Sequence, residues 1–272
     1  GEAAGEIRQL VPDIETLARR LADVDYLVDE GLATSMFLSL RLPQPLLLEG
    51  EAGVGKTEAG KSLAVVLDTP LIRLQCYEGI DAAEALYEWN YPRQLLSIRL
   101  AEAGGSTLGE EELFGPDYLI RRPLLRALEH PGPRPAVLLI DEIDRADDEF
   151  EAFLLEVLSD FQVTIPEIGT IKATQPPYVI LTSNRVRELS DALRRRCLYL
   201  WIDFPGFDKE VRIVTRKVPG LNERLAREIS RFMETLRTLR LAKVPGVAET
   251  LDWAAILAGL DIHDLRQEPE AV

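Results

Sequence analysis

The sequence predicts an α/β fold in which a five-stranded parallel sheet covered by helices is followed by a smaller, all-helical unit. Strand-like and helix-like segments alternate over roughly 200 residues, as in a mostly parallel sheet. The run Ala136–Ile140 is apolar at every position, which is typical of a strand buried on both faces. After Phe204-Pro205-Gly206 the periodicity is helical. We therefore expect an α/β domain over residues 1–205 and a helical domain over residues 206–272.

Five short segments rich in apolar residues are predicted to form the strands of the sheet. They span residues 46–48, 71–75, 136–140, 178–182 and 198–202. Residues 161–173 alternate between apolar and polar side chains around Gly169, a pattern that predicts a β-hairpin.

Helical periodicity predicts the elements before and between the strands. The segment 13–40 is expected to be helical, with one apolar face formed by Leu17, Leu21, Val24 and Leu27. Residues 58–67 predict a second helix. Residues 81–128 are expected to be helical throughout, divided into three or four helices at Pro92, Gly104-Gly105 and Gly115-Pro116.

The later helices are predicted in the same way. Residues 147–160 form an amphipathic pattern, and a short helix begins at Asp191. Residues 208–260 are helical, with breaks at Pro219-Gly220 and Pro245-Gly246. The sequence alone leaves open whether this helical domain is complete.

The composition disfavours nucleic acid and membrane partners. The chain has 272 residues and a net charge of -15, from 31 basic and 46 acidic residues, so as a whole it repels other polyanions. No apolar run approaches the ~20 residues that span a bilayer, and the acidic N-terminus lacks the features of a signal peptide. We expect a soluble, cytoplasmic protein.

Cysteine and histidine are too scarce to suggest a metal cluster or a Ser-His hydrolase. Cys76 and Cys197 lie far apart beside strand-like segments, which predicts buried free thiols. His130 and His263 are equally isolated, and His130 is expected near a helix end.

The strongest chemical signal is the segment Gly50–Thr57, which matches the phosphate-binding pattern G-x-x-x-x-G-K-[ST] between a predicted strand and a predicted helix. Glycines let backbone N–H groups surround an anion, and the helix N-terminus adds its positive dipole end. Lys56 supplies a cation for the outer phosphates, and the Thr57 hydroxyl is a candidate ligand of Mg²⁺. The candidate nucleotide-binding residues are Gly50, Glu51, Ala52, Gly53, Val54, Gly55, Lys56, Thr57 and Glu58.

Asp141 and Glu142 follow the buried strand 136–140, at the sheet edge where ligands bind in open α/β folds. We expect Asp141 to bind Mg²⁺, directly or through water, and Glu142 to polarise the attacking water. The alternative is that both belong to an ordinary acidic helix cap, because several acids follow. That alternative explains the later acids better than it explains this doublet.

Two further candidates follow the same logic. Asn184 comes directly after the strand 178–182, where its amide would contact the terminal phosphate or position the water, although an Asx turn would also place Asn there. Arg194–Arg196 end a short helix. They either offset the helix dipole or supply a cation, Arg196 ahead of Arg195, to the nucleotide site of a neighbouring subunit.

These motifs, in this order, resemble the AAA+ ATPases over nearly the whole chain. Gly50–Thr57 looks like Walker A, Val137–Glu142 like Walker B, Asn184 like sensor 1 and the arginines like the arginine-finger region. Helical material after the second strand and the hairpin at 161–173 are similar to the helix-2-insert group, and in detail to the MoxR family. The run Leu86–Gln94 is similar to the CoxD-like branch, which is associated with carbon monoxide dehydrogenase maturation.

The resemblance implies ATP hydrolysis with Mg²⁺, a hexameric ring, a von Willebrand factor A domain partner and a chaperone-like role in maturing metalloenzymes, of the molybdenum hydroxylase type. It also implies a sensor 2 arginine in the helical lid. The corresponding stretch Pro245–Trp253 has no arginine, which leaves Arg240 or Lys243 as substitutes or the role absent.

Three other functions stay open at the level of sequence. A P-loop kinase for a small molecule would use the same loop but gives no role to the hairpin or to a shared arginine. A nucleotide-dependent switch would bind with little turnover. A nucleic-acid motor is disfavoured by the charge.

Overall fold

The computed structural model describes residues 2–42, 44–239, 243–260, 262 and 265. The elements before the helical domain are α1 (Glu2–Leu10), α2 (Ile14–Asp23), α3 (Glu30–Arg41), β1 (Leu46–Glu49), α4 (Lys56–Val66), β2 (Leu71–Gln75), α5 (Ala82–Ala85), β3 (Tyr87–Trp89), α6 (Tyr91–Ala103), α7 (Glu110–Leu113), β4 (Leu119–Arg121), α8 (Pro123–Glu129), β5 (Val137–Asp141), α9 (Asp148–Asp160), β6 (Gln162–Ile165), β7 (Gly169–Lys172), β8 (Tyr178–Ser183), α10 (Asp191–Arg196) and β9 (Leu198–Trp201). The helical domain contains α11 (Phe207–Lys217), α12 (Glu223–Thr238) and α13 (Val247–Gly259). Short 3-10 helices span Pro116–Tyr118 and Ile143–Arg145.

The predicted five-stranded parallel sheet is confirmed, with strand order β2-β5-β8-β1-β9. The central strands β1 and β5 are buried at every residue, whereas the edge strands β2 and β9 alternate in exposure. The register pairs Gln75 with Asp141 and Glu49 with Ser183. The carboxyl ends of four strands therefore meet at one edge of the sheet.

Helices cover both faces of the sheet, because successive residues of a strand point to opposite faces. On one face Leu138 and Ile140 join a core that includes Phe150 and Leu154 of α9. On the other face Leu139 joins a core built from α2, α3 and α4. The helical domain packs around its own core, which includes Val214, Leu225, Ile229 and Leu257.

The prediction that residues 13–40 are helical was wrong about the middle of this segment, where two helices are separated by a loop. The chain leaves α2 at Asp23 and starts α3 at Glu30, so Val24 and Leu27 lie in a loop rather than on a helix face. Asp29 begins α3 by accepting a hydrogen bond from the Leu32 backbone N–H at 2.8 Å, an N-cap that competes with continued helix. Apolar spacing did not reveal this break.

The prediction for residues 81–128 was partly wrong. Helices α5, α6, α7 and α8 are present, but β3 and β4 form an antiparallel pair in which Trp89 faces Leu119. Trp89 is buried and its ring packs edge-on against Phe114 at 5.1 Å between centroids. The two strands are about thirty residues apart, so local periodicity carries no signal of their pairing.

The remaining strand and helix predictions hold within a residue or two. The hairpin β6–β7 pairs Val163 with Ile171, and the breaks at Pro219-Gly220 and Pro245-Gly246 separate α11, α12 and α13. Cys76 and Cys197 are buried free thiols, and His130 caps the end of α8. None of the described helices is long and apolar enough to cross a membrane.

Candidate active site

The phosphate loop joins β1 to α4, and its shape depends on glycine at three positions. A Cβ on Gly50 would lie 2.3 Å from the Ile202 carbonyl oxygen, so only glycine lets the loop leave the sheet beside β9. Gly53 and Gly55 have φ of 89° and 97°, in the left-handed region that side chains disfavour. The loop thereby turns its backbone toward the start of α4, where unpaired helical N–H groups favour an anion.

Lys56 is buried at the base of the loop. Its ammonium donates to the carbonyl oxygens of Gly50 and Glu51 at 2.8 and 2.7 Å, which closes the loop around it. Burial lowers the pKa of Lys56 to about 8, and the nearby carboxylates, Asp144 first, partly oppose this shift. A phosphate in the loop would compete with the two carbonyls for this cation.

Thr57 and Asp141 come together, although they are 84 residues apart. The Thr57 hydroxyl donates to both oxygens of the buried Asp141 carboxylate, at 3.0 and 3.1 Å. Thr182 on β8 also donates to this carboxylate. A hydroxyl beside a carboxylate is the hard-oxygen donor set that suits Mg²⁺, so these residues fit the metal that the sequence suggested.

Arg73 is a partner of Asp141 that the sequence did not reveal. Its guanidinium extends from β2 and donates to Asp141 Oδ2 through Nε, at 3.1 Å, and through Nη2. The same Nη2 donates to Gln75 at 2.9 Å. Arg73 is 44% exposed, so a positive charge stands beside the candidate metal ligand on the solvent side.

Glu142 lies next to this cluster in an unusual backbone conformation. Its φ is 55°, which is uncommon for a residue with a side chain and is found preferentially at functional sites. Its backbone N–H donates to the Thr182 hydroxyl at 2.9 Å. The carboxylate is 30% exposed and pairs with Arg145 at 3.2 Å. Thr182 therefore links Asp141 and Glu142, a role that strand periodicity could not show.

Asn184 follows β8 and reaches the same cavity as Glu142. The loop that carries it is tied to the acidic strand end, because the buried Asp144 carboxylate accepts the Val186 backbone N–H at 2.8 Å. Arg185, the next residue, has a φ of 59°. A contact between residues 42 apart in the sequence thus ties the loop that carries Asn184 to the acidic strand end.

The three arginines at the end of α10 lie in two different environments. Arg194 pairs within the chain, at 3.3 Å, with the fully buried Glu49, which also accepts a hydrogen bond from Ser183 at 3.0 Å. Arg195 and Arg196 are exposed at the end of α10 and do not line the cavity of their own subunit.

One cavity of about 650 Å³ joins these groups to the helical domain. Its walls include Tyr26 of the α2–α3 loop and residues of α11 and α13; the lining residues are Asp25, Tyr26, Leu27, Asp29, Gly31, Leu32, Ala52, Gly53, Val54, Gly55, Lys56, Thr57, Glu58, Asp141, Glu142, Thr182, Asn184, Leu200, Trp201, Ile202, Asp203, Phe204, Pro205, Gly206, Lys209, Ile213, Lys217, Val247, Ala248 and Leu251. Gly50 and Glu51 are not among the lining residues.

Of the two candidate substitutes for a sensor 2 arginine, Lys243 lies in the described part of the chain, and it does not line the cavity. Lys243 is 86% exposed and 3.8 Å from Glu249. Arg240 falls outside the described residues, as does His263. Within the described part of the chain, the cations lining the cavity are Lys56, Lys209 and Lys217.

Comparison with known proteins agrees with this geometry. The family model described as an AAA domain of the dynein-related subfamily matches residues 45–197, more than half of the chain. This chain belongs to the AAA+ family. The match runs from β1 to the end of α10 and so contains the phosphate loop, the acids and Asn184.

Three proteins that resemble this chain are distant from it in sequence. An uncharacterised protein of Staphylococcus aureus is 26% identical over 231 residues, covering 82% of this chain and 78% of the relative. One of Staphylococcus haemolyticus is 25% identical over 87% of this chain and 83% of the relative. The Thermotoga maritima RuvB Holliday junction branch migration motor is similar in structure, with a TM-score of 0.52 and 18% identity over 89% of this chain. This AAA+ chain spans 65% of that RuvB chain, and the likeness is one of fold.

Proposed function

We propose that this AAA+ protein hydrolyses ATP with Mg²⁺ and uses the energy to remodel a client protein. One observation supports this most strongly. The phosphate loop, the Thr57–Asp141 pair, Glu142 and Asn184 come from separate segments and meet at one cavity. A binding loop alone would not require the acids and the amide.

The residues have complementary roles in the proposal. The loop backbone and Lys56 bind the phosphates, while Thr57 and Asp141 hold Mg²⁺. The metal would neutralise charge on the phosphate oxygens. Glu142 accepts a proton from the attacking water, and Asn184 orients that water or the terminal phosphate. Arg145 forms an ion pair with Glu142 at 3.2 Å, and both side chains are partly exposed.

We further propose that the site is shared between subunits of a ring, most simply a hexamer. AAA+ proteins are commonly oligomers, and Arg195 and Arg196 are exposed cations with no place in their own cavity. Arg194 is the least suitable finger, because moving it would leave Glu49 buried and unpaired.

The identity of the client is the most specific part of the proposal. The resemblance of Leu86–Gln94 to the CoxD-like MoxR proteins supports a cytoplasmic metalloenzyme client of the molybdenum hydroxylase type and a partner with a von Willebrand factor A domain. This segment lies in the insert, from the end of α5 to the start of α6, and Tyr91 there is 61% exposed. The exposed insert suits contact with another protein.

Phosphate release from ATP, measured without any added acceptor, tests the catalytic assignment. We expect Glu142→Gln to reduce turnover by at least about a hundredfold while nucleotide still binds, because the general base is lost. Lys56→Ala should abolish binding. Glu149→Gln is the matched control, since it removes an exposed acid of the same stretch.

Other outcomes would select another function. Normal hydrolysis by Glu142→Gln would make the doublet an ordinary acidic cap. Binding without turnover in the wild type would favour the nucleotide-dependent switch. Turnover that appears only with a small-molecule acceptor would favour the kinase.

A further inference from the structure

The helical domain touches the phosphate loop through two glycines. A Cβ built on Gly246 would lie 2.6 Å from the Gly53 Cα and 2.9 Å from the Gly53 carbonyl oxygen. The reverse Cβ, on Gly53, would lie 2.8 Å from the Gly246 Cα. Beside this contact, the Val247 backbone N–H donates to the Gly53 carbonyl at 2.9 Å. The first turn of α13 therefore rests directly on the loop backbone.

Glycine is required at position 246 because a side chain there would clash with Gly53, and not because of its backbone conformation. Its φ of -94° is open to any residue, whereas the φ of 89° at Gly53 itself demands glycine. A substitution at Gly246 thus tests the contact between the domains, because the backbone conformation of Gly246 itself accepts a side chain.

Gly246 is also fixed to the interior of the helical domain. Its N–H donates to Glu249 at 2.9 Å, and its carbonyl accepts from the Thr250 backbone N–H at 3.3 Å. The Thr250 hydroxyl donates to the buried Glu210 at 2.7 Å, and Arg237 donates to the same carboxylate at 2.6 and 2.7 Å. A displacement at Gly246 would consequently move α11, α12 and α13 together.

The second contact we find across the cavity is weaker. Arg216 of α11 is 3.2 Å from Asp25 of the α2–α3 loop, but both side chains are about half exposed. Exposed ion pairs contribute little. The close backbone contact at Gly53 is the stronger candidate for transmitting movement.

We propose that Gly246 is a positioning residue that couples the phosphate loop to the helical domain. Phosphates that reshape the loop at Gly53 move α13 through this backbone contact, whether or not Lys209 or Lys217 of α11, which line the cavity, also contacts the nucleotide. The inference rests on the proposed function only in that a nucleotide occupies the loop.

Two substitutions break the contact in different ways. Gly246→Ala places a methyl group against Gly53. Val247→Pro removes the N–H that donates to Gly53 and is otherwise tolerated, because Val247 is the first residue of α13. The matched controls are Gly259→Ala, in the same helix with open space around it, and Glu223→Pro, at the first residue of α12.

The readout is the distance between spin labels on Val65→Cys of α4 and Ala255→Cys of α13, both exposed positions. Cys76 and Cys197 are buried and escape labelling. Adding ADP or a non-hydrolysable ATP analogue should shift the distance distribution in the parent protein and in both controls. We expect Gly246→Ala and Val247→Pro to lose this shift and to bind nucleotide about three- to tenfold more weakly.

The outcomes separate the inference from the proposed function. A shift of parental size in both variants, or no shift in the parent when nucleotide is bound, would overturn the coupling. A parent that binds nucleotide and shifts but does not hydrolyse ATP would overturn only the proposed function, because the distance change needs binding alone. Circular dichroism identifies any variant that fails to fold, and the other variant then decides.

Discussion

Asp141 accepts hydrogen bonds from side chains on three separate elements, Thr57 of α4, Arg73 of β2 and Thr182 of β8. A carboxylate that is 1% exposed needs such partners, because burial of an unpaired charge is costly. Thr57 and Thr182 are neutral and compatible with a metal, but the Arg73 guanidinium would repel one. We therefore expect the charges of this cluster to influence how readily Mg²⁺ binds.

Arg73→Ala should lower the Mg²⁺ concentration needed for half-maximal nucleotide binding, severalfold, because a competing positive charge is removed. Calorimetric titration of Mn²⁺ or Mg²⁺ into the nucleotide complex measures this directly. Arg73→Lys is the control, since it keeps the charge and should stay near the parental value. A rise in the metal requirement would show instead that Arg73 serves to orient Asp141.

The two buried thiols make a prediction about pH. Burial raises the pKa of both Cys76 and Cys197 to about 12, above the value of about 8.5 for an exposed thiol. Because the folded state disfavours the thiolate, these groups reduce the free energy of unfolding as pH rises from about 8.5 toward 12, and leave it unchanged below that window. Iodoacetamide at pH 8 should label neither thiol in the native protein and both in urea. Rapid native labelling would contradict their burial.

At the scale of elements, the helical domain depends on one buried ion pair. Arg237 of α12 and Glu210 of α11 are 8% and 1% exposed, and Arg237 also donates to the Pro245 carbonyl at 2.8 Å, just before α13. One guanidinium thus joins three helices. The spacing of apolar residues predicted these helices correctly but not the charged contact between them.

Arg237→Ala should lower the free energy of unfolding of the helical domain by about 3–5 kcal/mol, because Glu210 is left buried without its partner. Urea denaturation followed by circular dichroism measures the change. Lys243→Ala, which removes an exposed pair with Glu249 at 3.8 Å, is the control and should cost less than about 0.5 kcal/mol. Equal effects of the two substitutions would contradict the central role of the Arg237 pair.

At the scale of the whole molecule, residues of the helical domain complete the wall of the cavity. No arginine of α10 in the same subunit lines it. Arg195 and Arg196 are exposed and do not line the cavity, while Arg194 is paired with Glu49. A site with its arginine on another subunit would make hydrolysis depend on assembly.

Mixing Lys56→Ala subunits with Arg196→Ala subunits should restore part of the ATPase activity that each lacks, because some interfaces then combine an intact loop with an intact arginine. Phosphate release from the mixture measures the recovery. A mixture of Lys56→Ala and Glu142→Gln should recover nothing, since every site then carries a defect on the same side. Absence of recovery in a demonstrably mixed assembly would argue against Arg196, and a protein that stays monomeric with ATP by light scattering would argue against sharing.

The sequence by itself determined the sheet, the phosphate loop and the acidic strand end, because a buried strand and a glycine loop are specified by residues that are neighbours in the chain. It also indicated Asn184 and the arginines as candidates. Only the tertiary structure decided which groups surround them. Strand register places Arg73 and Thr182 beside Asp141, and it places Glu49 within reach of Arg194. Gly246 contacts the phosphate loop because the helical domain packs against that loop. These contacts join residues far apart in sequence, and no local pattern encodes them.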